Sequence, residues 1–318
     1  MKKTIVITGA SSGAGRAIAL EFAAKKQKLV LAARNIKALT ELAEECEELG
    51  AEVKIVATDV TIYSEMLNLA SRADDMGGID VWINNAGVLA IGEFDETPME
   101  ITNRVISTNL LGYMYGVHAA LPYFKKQGYG IIINNISIGG FLPVPFGTGY
   151  SASKFGLRGF SAALKTELSG FPDIHICDAF PAFLDTPGIQ HAANYTGKKL
   201  RPAPPVYDPR RVATAIAKLA SHPKQETMIG SMSVLLRYAS SIFPRITQSI
   251  AGTVIGTYLK QADPLVKTDG NLFNQVNYGN AVYGGWGLPG RPKAHRKYIG
   301  AGIVLIAVGM VLLSRKNP

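Results

Sequence analysis

The sequence predicts an α/β fold: a doubly wound parallel sheet of about seven strands, with a helical C-terminal extension and an apolar C-terminal helix. Three observations predict it. Apolar, β-branched runs alternate with helical patterns over the first two thirds of the chain, a glycine-rich turn follows the first run, and an uncharged segment lies near the end. Alternating strands and helices imply right-handed crossovers, so ligands are expected beyond the carboxyl ends of the strands.

The elements follow from periodicity. Continuous apolar runs predict buried strands at 4–8, 28–33, 53–57, 80–84, 131–136, 174–179 and 227–231. Helical spacing predicts helices over 14–26, 35–49, 62–76, 99–127, 151–169 and 209–221. These elements make one domain over 1–231, followed by an extension over 232–292 that begins with two helices broken at Pro244 and continues as an irregular segment. The Pro- and Gly-rich stretch 181–209 is interpreted as a lid, with a plain surface loop as the alternative.

The turn after the first strand carries a distinctive glycine spacing, Gly9, Gly13 and Gly15. Glycine lets a backbone turn tightly and approach a ligand, and the helix that follows offers unpaired N–H groups to an anion. The turn therefore predicts a pyrophosphate site, with a glycine-rich turn that binds no ligand as the alternative. Its residues are Gly9, Ser11, Ser12, Gly13, Ala14 and Gly15.

A tyrosine and a lysine stand one helical turn apart at the start of a predicted helix. Tyr150 and Lys154 are four residues apart, so they share one face of that helix. A phenol with an ordinary pKa near 10 is a poor proton-transfer group at neutral pH, and a nearby ammonium ion favours its ionised form. Such a pair is common by chance, but here Ser137 ends an apolar strand upstream and Asn109 lies in a further helical run.

Taken together, these motifs resemble those of the short-chain dehydrogenase/reductase family. The resemblance covers roughly residues 3–235. It rests on the glycine turn, Asp59-Val60, Asn84-Asn85-Ala86-Gly87, Asn109, Ser137, Tyr150-x-x-x-Lys154 and Pro181-x-x-x-x-Thr186. It implies a Rossmann-type subunit, a nicotinamide cofactor and interconversion of carbonyl and alcohol groups.

The resemblance also implies roles for individual residues. Tyr150 would exchange a proton with the substrate oxygen, Ser137 would hydrogen-bond that oxygen, and Lys154 would hold the nicotinamide ribose and depress the pKa of Tyr150. Asn109 would hold a water molecule in a proton relay, with a structural role satisfied by the backbone as the alternative. The remaining cofactor contacts would come from Asp59 and Val60 at the adenine, from the backbone of Asn85, Ala86 and Gly87, and from Thr186; Asn84 would brace the sheet.

The end of the second predicted strand decides between the two nicotinamide cofactors. An NAD enzyme places a carboxylate there to accept a hydrogen bond from the ribose 2′-hydroxyl. This chain has no carboxylate at that point but has Arg34, whose guanidinium can pair with a 2′-phosphate. The sequence therefore predicts NADP (NADPH) rather than NAD.

Composition excludes several other classes of protein. Two cysteines make no disulfide framework, and the five histidines lack metal-ligand spacing, so no metal site is expected. Lys and Arg number 18 against 20 Asp and Glu over 1–200, but 9 against 4 over 201–290 and 6 against none over 291–318. These C-terminal cations flank apolar runs, which favours a membrane surface over nucleic acid as the partner.

Residues 298–314 carry no charge over 17 positions. As a helix of about 1.5 Å per residue they would extend roughly 25 Å, near the lower limit for crossing a bilayer. Cations stand on both sides, with more before than after, so we expect a membrane anchor that leaves the catalytic domain in the cytoplasm. A helix buried against the protein is the alternative. Residues 232–260 would then lie on the membrane surface or cap the substrate pocket.

The sequence therefore predicts a membrane-anchored, NADP(H)-dependent oxidoreductase. Its substrate would be a hydrophobic, lipid-like ketone or aldehyde and the matching alcohol, held in an apolar pocket formed by Phe141, Leu142, Pro143, Val144, Pro145 and Phe146. A non-catalytic NADP-binding scaffold at a membrane and a redox-assisted epimerase are the alternatives. The family resemblance also implies a homo-oligomer paired through the helices near 109–127 and 151–169.

Overall fold

The computed structural model describes residues 2–287, so the anchor expected at 298–314 lies outside the described residues. A parallel seven-stranded sheet forms the centre, in the order β3-β2-β1-β4-β6-β7-β9. The chain order reverses between β1 and β4, which is where such folds bind ligands. The predicted doubly wound, Rossmann-like sheet is confirmed. The strands are β1 (Thr4–Thr8), β2 (Lys28–Ala33), β3 (Glu52–Ala57), β4 (Val81–Asn84), β5 (Ala90–Ile91), β6 (Gly130–Asn135), β7 (Ile174–Pro181), β8 (Ala193–Asn194) and β9 (Glu226–Ile229).

Helices cover both faces of the sheet because alternate strand residues point to opposite sides. Ile5 and Ile7 of β1 pack in the core beneath α1, α2 and α7, whereas Val6 packs in the core beneath α3, α5 and α6. The helices are α1 (Gly13–Ala23), α2 (Ile36–Glu48), α3 (Tyr63–Asp74), α4 (Met99–Ile106), α5 (Gly112–Gln127), α6 (Thr148–Glu167), α7 (Arg210–Leu219), α8 (Ser231–Ile242) and α9 (Pro244–Gln261).

The single helix predicted over 99–127 is interrupted. A π-helical turn, Ser107–Leu111, separates α4 from α5. Asn109 lies within this turn and pairs its side-chain amide with the backbone of Val88. This tertiary pairing accompanies the change in helical winding, and π turns of this kind are frequent at functional sites.

The segment 181–209 is partly tied to the protein body. Its strand β8 pairs with β5 in a small two-stranded sheet, through Ala90 with Ala193 and Ile91 with Asn194. A short turn, Pro187–Ile189, precedes β8, and His191 is buried. A plain surface loop is therefore the wrong description of its middle part.

The extension begins with two helices broken at Pro244, as predicted. The helix α8 packs beside the turn after β6, while α9 contains no buried residue. From Ala262 to Gly287 the chain has no helix or named strand, which agrees with the predicted irregular segment. Within residues 2–287, no helix combines the length and apolar character needed to cross a membrane.

Candidate active site

The glycine turn lies where β1 enters α1. A Cβ atom at Gly15 would overlap the carbonyl oxygen of Gly9, and one at Gly9 would lie 2.6 Å from the Cα atom of Ala86. Ser12 precedes the helix and its hydroxyl makes no capping bond to the first-turn amides. The Gly13 amide donates to the carbonyl of Ala281 at 3.0 Å. A close-packed turn opening onto a helix N-terminus fits a dinucleotide pyrophosphate.

The residues after β4 support this turn. The side-chain nitrogen of Asn85 donates to the backbone carbonyls of Thr8 at 3.1 Å and Gly9 at 3.2 Å, so this side chain stabilises the turn. Ala86 and Gly87 follow along the same edge, so their backbone borders the crevice at the reversal between β1 and β4.

Asn84 braces the sheet, as predicted. Its oxygen accepts from the indole nitrogen of Trp82 at 2.8 Å, and its amide donates to the side-chain oxygen of Asn134 at 3.0 Å. All three side chains are buried, so this residue is held by the protein and does not face the crevice.

Tyr150, Lys154 and Ser137 come together at the carboxyl end of β6. Tyr150 and Lys154 share one face of α6, and the Lys154 Nζ atom lies 5.7 Å from the centroid of the Tyr150 ring. Ser137 hydrogen-bonds with Tyr150. Ser137 has φ of +97°, a conformation that costs energy for a residue with a side chain and that clusters at functional sites. Its hydroxyl also accepts from the amide of Gly139 at 3.2 Å.

The electrostatics of this group differ from the sequence expectation. Burial raises the pKa of Tyr150, and the hydrogen bond with Ser137 only partly opposes that rise. Burial also lowers the pKa of Lys154 to about 7, because the protein replaces the water that would solvate its charge. In this structure burial sets the direction of the Tyr150 pKa shift, which is opposite to the predicted depression.

Asn109 is fully buried and its side chain is already engaged. Its oxygen accepts from the Val88 amide at 2.8 Å, and its nitrogen donates to the Val88 carbonyl at 2.8 Å and to the Ser153 hydroxyl at 3.3 Å. These contacts agree with the structural alternative for the side chain. A water molecule held by Asn109 would therefore have to contact the backbone of the π turn.

A charged network that the sequence did not reveal surrounds Asp59. The Asp59 carboxylate accepts from the Thr61 backbone amide at 3.0 Å and from the Thr61 hydroxyl at 2.7 Å. Arg104 forms a salt bridge with the same carboxylate. Desolvation would raise the pKa of Asp59, but these hydrogen bonds and the Arg104 charge outweigh it and hold the pKa below its ordinary value. Arg104 lies 45 residues further along the chain, so no local motif signals this pairing. Val60 next to it is buried in the core.

Arg34 stands just after β2, as predicted, but the C-terminal extension reaches it. Its Nη1 atom donates to the carbonyls of Leu272 at 3.0 Å and Phe273 at 3.3 Å, and its Nη2 atom donates to the carbonyl of Asn271. Burial lowers the pKa of Arg34, with the charge of Asp59 acting in the opposite direction.

Thr186 lies directly over the glycine turn. A Cβ atom at Gly13 would be 3.2 Å from the Thr186 Cβ, and the Thr186 carbonyl accepts from the indole nitrogen of Trp286 at 3.1 Å. The chain after β7 therefore closes over α1, where the sequence expects the cofactor.

The predicted apolar pocket at Phe141–Phe146 needs one correction. Phe141 is buried in a core cluster, with its ring centroid 4.7 Å from that of Phe180 and the Arg158 guanidinium 3.8 Å from its centre. It therefore packs inside the protein. The other five residues are half-buried and remain candidates to line a pocket.

Comparison with known proteins agrees with this geometry. The sequence model described as short chain dehydrogenase matches residues 3–195. The chain is 35% identical over 254 residues to the uncharacterized oxidoreductase YxnA of Bacillus subtilis, covering 78% of this chain and 71% of that protein. It is 29% identical to estradiol 17-beta-dehydrogenase 11 of Mus musculus, over 76% of this chain and 79% of the relative.

A solved structure shows the same fold. The alcohol dehydrogenase of the archaeon Thermococcus sibiricus, complexed with 5-hydroxy-NADP, superposes with a TM-score of 0.64 at 28% identity, covering 73% of this chain and 98% of that chain. The fold, the matched family and these relatives agree with one another. This chain therefore belongs to the short-chain dehydrogenase family, and it is an oxidoreductase that acts on CH–OH groups with a nicotinamide cofactor.

Proposed function

We propose that the protein is an NADP(H)-dependent oxidoreductase that interconverts a ketone or aldehyde and an alcohol on a hydrophobic, lipid-like substrate. The observation that carries this proposal is the meeting of Tyr150, Ser137 and Lys154 at the carboxyl end of β6, with Lys154 next to Gly87 on the edge of the sheet that also carries the glycine turn. A proton donor, a hydrogen-bond donor for an oxygen and a lysine that titrates near neutrality are the groups that carbonyl reduction needs.

In the direction of reduction, bound NADPH would supply the hydride that the carbonyl carbon receives. Tyr150 donates its phenolic proton to the carbonyl oxygen, and its raised pKa keeps that proton in place until charge develops on the oxygen. The Ser137 hydroxyl, turned toward Tyr150, holds the same oxygen by a hydrogen bond. Lys154, with its pKa of about 7, can hold or release a proton at working pH, and in its charged form it favours the phenolate.

The choice of NADP over NAD rests on Arg34. The extension occupies the Nη1 side of its guanidinium and one Nη2 proton, and no described residue accepts from Nε. The edge formed by Nε and Nη2 can therefore pair with a phosphate through two hydrogen bonds. We expect Arg34→Ala to lower kcat/KM for NADPH more than tenfold and to change that for NADH little. The matched control is Lys37→Ala, an exposed cation three residues away. A wild-type enzyme that prefers NADH would refute the choice.

The proposed substrate class is supported by the half-buried apolar segment Leu142–Phe146 and by the steroid substrate in the name of one relative. The test is NADPH oxidation with matched series of long-chain, steroidal and small polar carbonyls. Turnover confined to small polar carbonyls would contradict the proposal. One NADPH consumed per carbonyl reduced would distinguish the reaction from redox-assisted epimerisation, which consumes none.

We also propose that the protein is held at a membrane by 298–314, with the catalytic domain on the cytoplasmic side. The helix pair α8 and α9 supports this, because residues 231–262 contain three basic and no acidic residues and expose Tyr238, Ile242 and Val254. Removing 291–318 should shift the protein from the membrane pellet to the supernatant. Retention in the pellet would refute the anchor.

The family resemblance adds a proposed homo-oligomer paired through α5 and α6. Phe155 on α6 is 39% exposed, and nothing lies within 4 Å of where a Cβ atom of Gly159 would be, so this face has room for a partner helix. Light scattering of the wild type and of Phe155→Glu tests it: the charged variant should lower the measured mass. Equal masses would count against this surface.

A further inference from the structure

Residues 271–287 cross the cofactor crevice, and we call this segment the strap. It contacts Arg34 after β2, then Gly13 after β1, then Asp185 after β7. In the sheet, β2 and β7 are separated by β1, β4 and β6, so the strap reaches across the carboxyl ends of the strands where the cofactor is expected.

One end of the strap is anchored by a buried leucine. Leu272 is fully buried and packs in a cluster with Val88, Ile101 and Ala193. Its carbonyl accepts from Arg34 Nη1 and also from Arg104 Nε at 3.0 Å. The leucine side chain thus fixes the carbonyl that two guanidinium groups share.

The other end is held by a buried carboxylate. The Asp185 carboxylate accepts from the backbone amides of Gly284 at 3.1 Å, Trp286 at 2.8 Å and Gly287 at 2.9 Å. Asp185 is 8% exposed, and hydrogen bonds to a charged, desolvated acceptor are stronger than neutral ones. The strap is therefore fastened at both ends of the crevice.

The contacts of the strap with Arg34 orient a side chain that would otherwise be free to rotate. The carbonyls of Leu272 and Phe273 accept from Nη1, and that of Asn271 accepts one Nη2 proton, which leaves Nε and the other Nη2 proton on one edge of the guanidinium. Holding one edge fixes the direction of the other because the guanidinium is planar.

We propose that the strap is part of the cofactor site: it sets the orientation of Arg34 toward a 2′-phosphate, and it must lift for the nucleotide to leave. This inference rests on the proposed use of NADP. It makes Leu272 a positioning residue that acts through Arg34, and it makes release of the cofactor dependent on opening of a segment outside the family match at 3–195.

The test compares Leu272→Ala with Leu265→Ala in the full-length protein. Both remove the same atoms, but Leu265 is 48% exposed and lies just before the strap. Stopped-flow fluorescence would measure NADPH dissociation, and calorimetry the affinities for NADP⁺ and NAD⁺. Leu272→Ala should speed dissociation about tenfold and lower the NADP⁺-to-NAD⁺ affinity ratio about tenfold, as expected for loss of hydrogen bonds to a charged group. Leu265→Ala should match the wild type.

Two further variants keep the test decisive. Asp185→Asn loosens the far end of the strap with little change in shape, and it should also speed dissociation if Leu272→Ala fails to fold. In an Arg34→Ala background, Leu272→Ala should no longer alter the affinity ratio, because the residue through which it acts is gone.

The results separate the two proposals. Unchanged dissociation rates in Leu272→Ala and Asp185→Asn would overturn the strap proposal, and so would tighter binding, which would mean that the strap competes with the nucleotide. A wild type that binds NAD⁺ but not NADP⁺ would refute the proposed cofactor and the role of the strap in orienting Arg34. The NADH dissociation rates of the same variants would still decide whether the strap gates release.

Discussion

Lys154 should make the stability of this protein rise with pH in a way that a substitution can isolate. Burial lowers the pKa of Lys154 in the folded protein to about 7, whereas an unfolded lysine titrates near about 10.4. Between these values the unfolded chain holds one more proton than the folded chain, so raising the pH favours folding. Below pH 7 both states are charged and the unfavourable burial is fully present, and above about 10.4 it is absent.

The size of the effect follows from that difference. One unit of pKa difference corresponds to about 1.4 kcal/mol. Between pH 7 and pH 9 the free energy of unfolding of the wild type should therefore rise by about 2 kcal/mol relative to that of Lys154→Met, whose methionine cannot titrate. Groups that titrate in both proteins cancel in this comparison. The Lys154 Nζ atom also lies 5.0 Å from the centroid of the Tyr113 ring, so methionine keeps the packing there while removing the charge.

The assay is urea unfolding of both proteins at pH 7, 8 and 9, with the exposed Lys37→Met as a control. The free energy of unfolding of Lys37→Met should follow the wild type at every pH. If the free energy of unfolding of Lys154→Met also changes with pH in parallel with the wild type, the lysine keeps its ordinary pKa in the folded protein. The reasoning about its charge beside Tyr150 would then be refuted.

Three further predictions concern single side chains. Gly15→Ala should lower the free energy of unfolding by about 1–3 kcal/mol and weaken nucleotide binding, because the new methyl group overlaps the Gly9 carbonyl. Its control, Gly159→Ala, lies in open space on α6 and should leave stability unchanged or raise it by up to about 1 kcal/mol. Equal unfolding curves for the two variants would contradict this prediction. Tyr150→Phe should lower kcat about 10²–10⁴-fold with nucleotide affinity unchanged in a binding titration, and retention of full turnover would remove this residue as proton donor. Arg104→Leu should destabilise the fold by about 1–3 kcal/mol in urea unfolding, since it leaves the half-buried Asp59 carboxylate without its charge partner. An unchanged free energy of unfolding would show that solvent replaces the arginine.

The sheet and the glycine turn were predictable because their signals are local. Continuous apolar runs mark buried parallel strands wherever they occur, and the spacing of Gly9 and Gly15 reflects a backbone contact within seven residues. The pair Tyr150 and Lys154 was predictable for the same reason, since helical geometry alone puts them on one face.

What escaped prediction depends on tertiary contacts. The break in the helix over 99–127 accompanies the pairing of Asn109 with Val88, 21 residues away in sequence. The pKa of Lys154 depends on burial, which periodicity does not quantify. The contacts of Arg34 with Leu272 span 238 residues, and no motif connects an arginine after the second strand to an irregular segment near the end of the chain.

The order in which the chain is synthesised gives the last of these contacts a consequence for biogenesis. The sheet and both its helical layers lie within the first 229 residues, so a nascent chain can form them before residue 271 is synthesised. The walls around Arg34 and Gly13, however, include carbonyls from residues 271 to 281. A chain that stops before residue 271 would thus carry a folded sheet with an unfinished nucleotide pocket, and loading with cofactor would report that synthesis has passed residue 281.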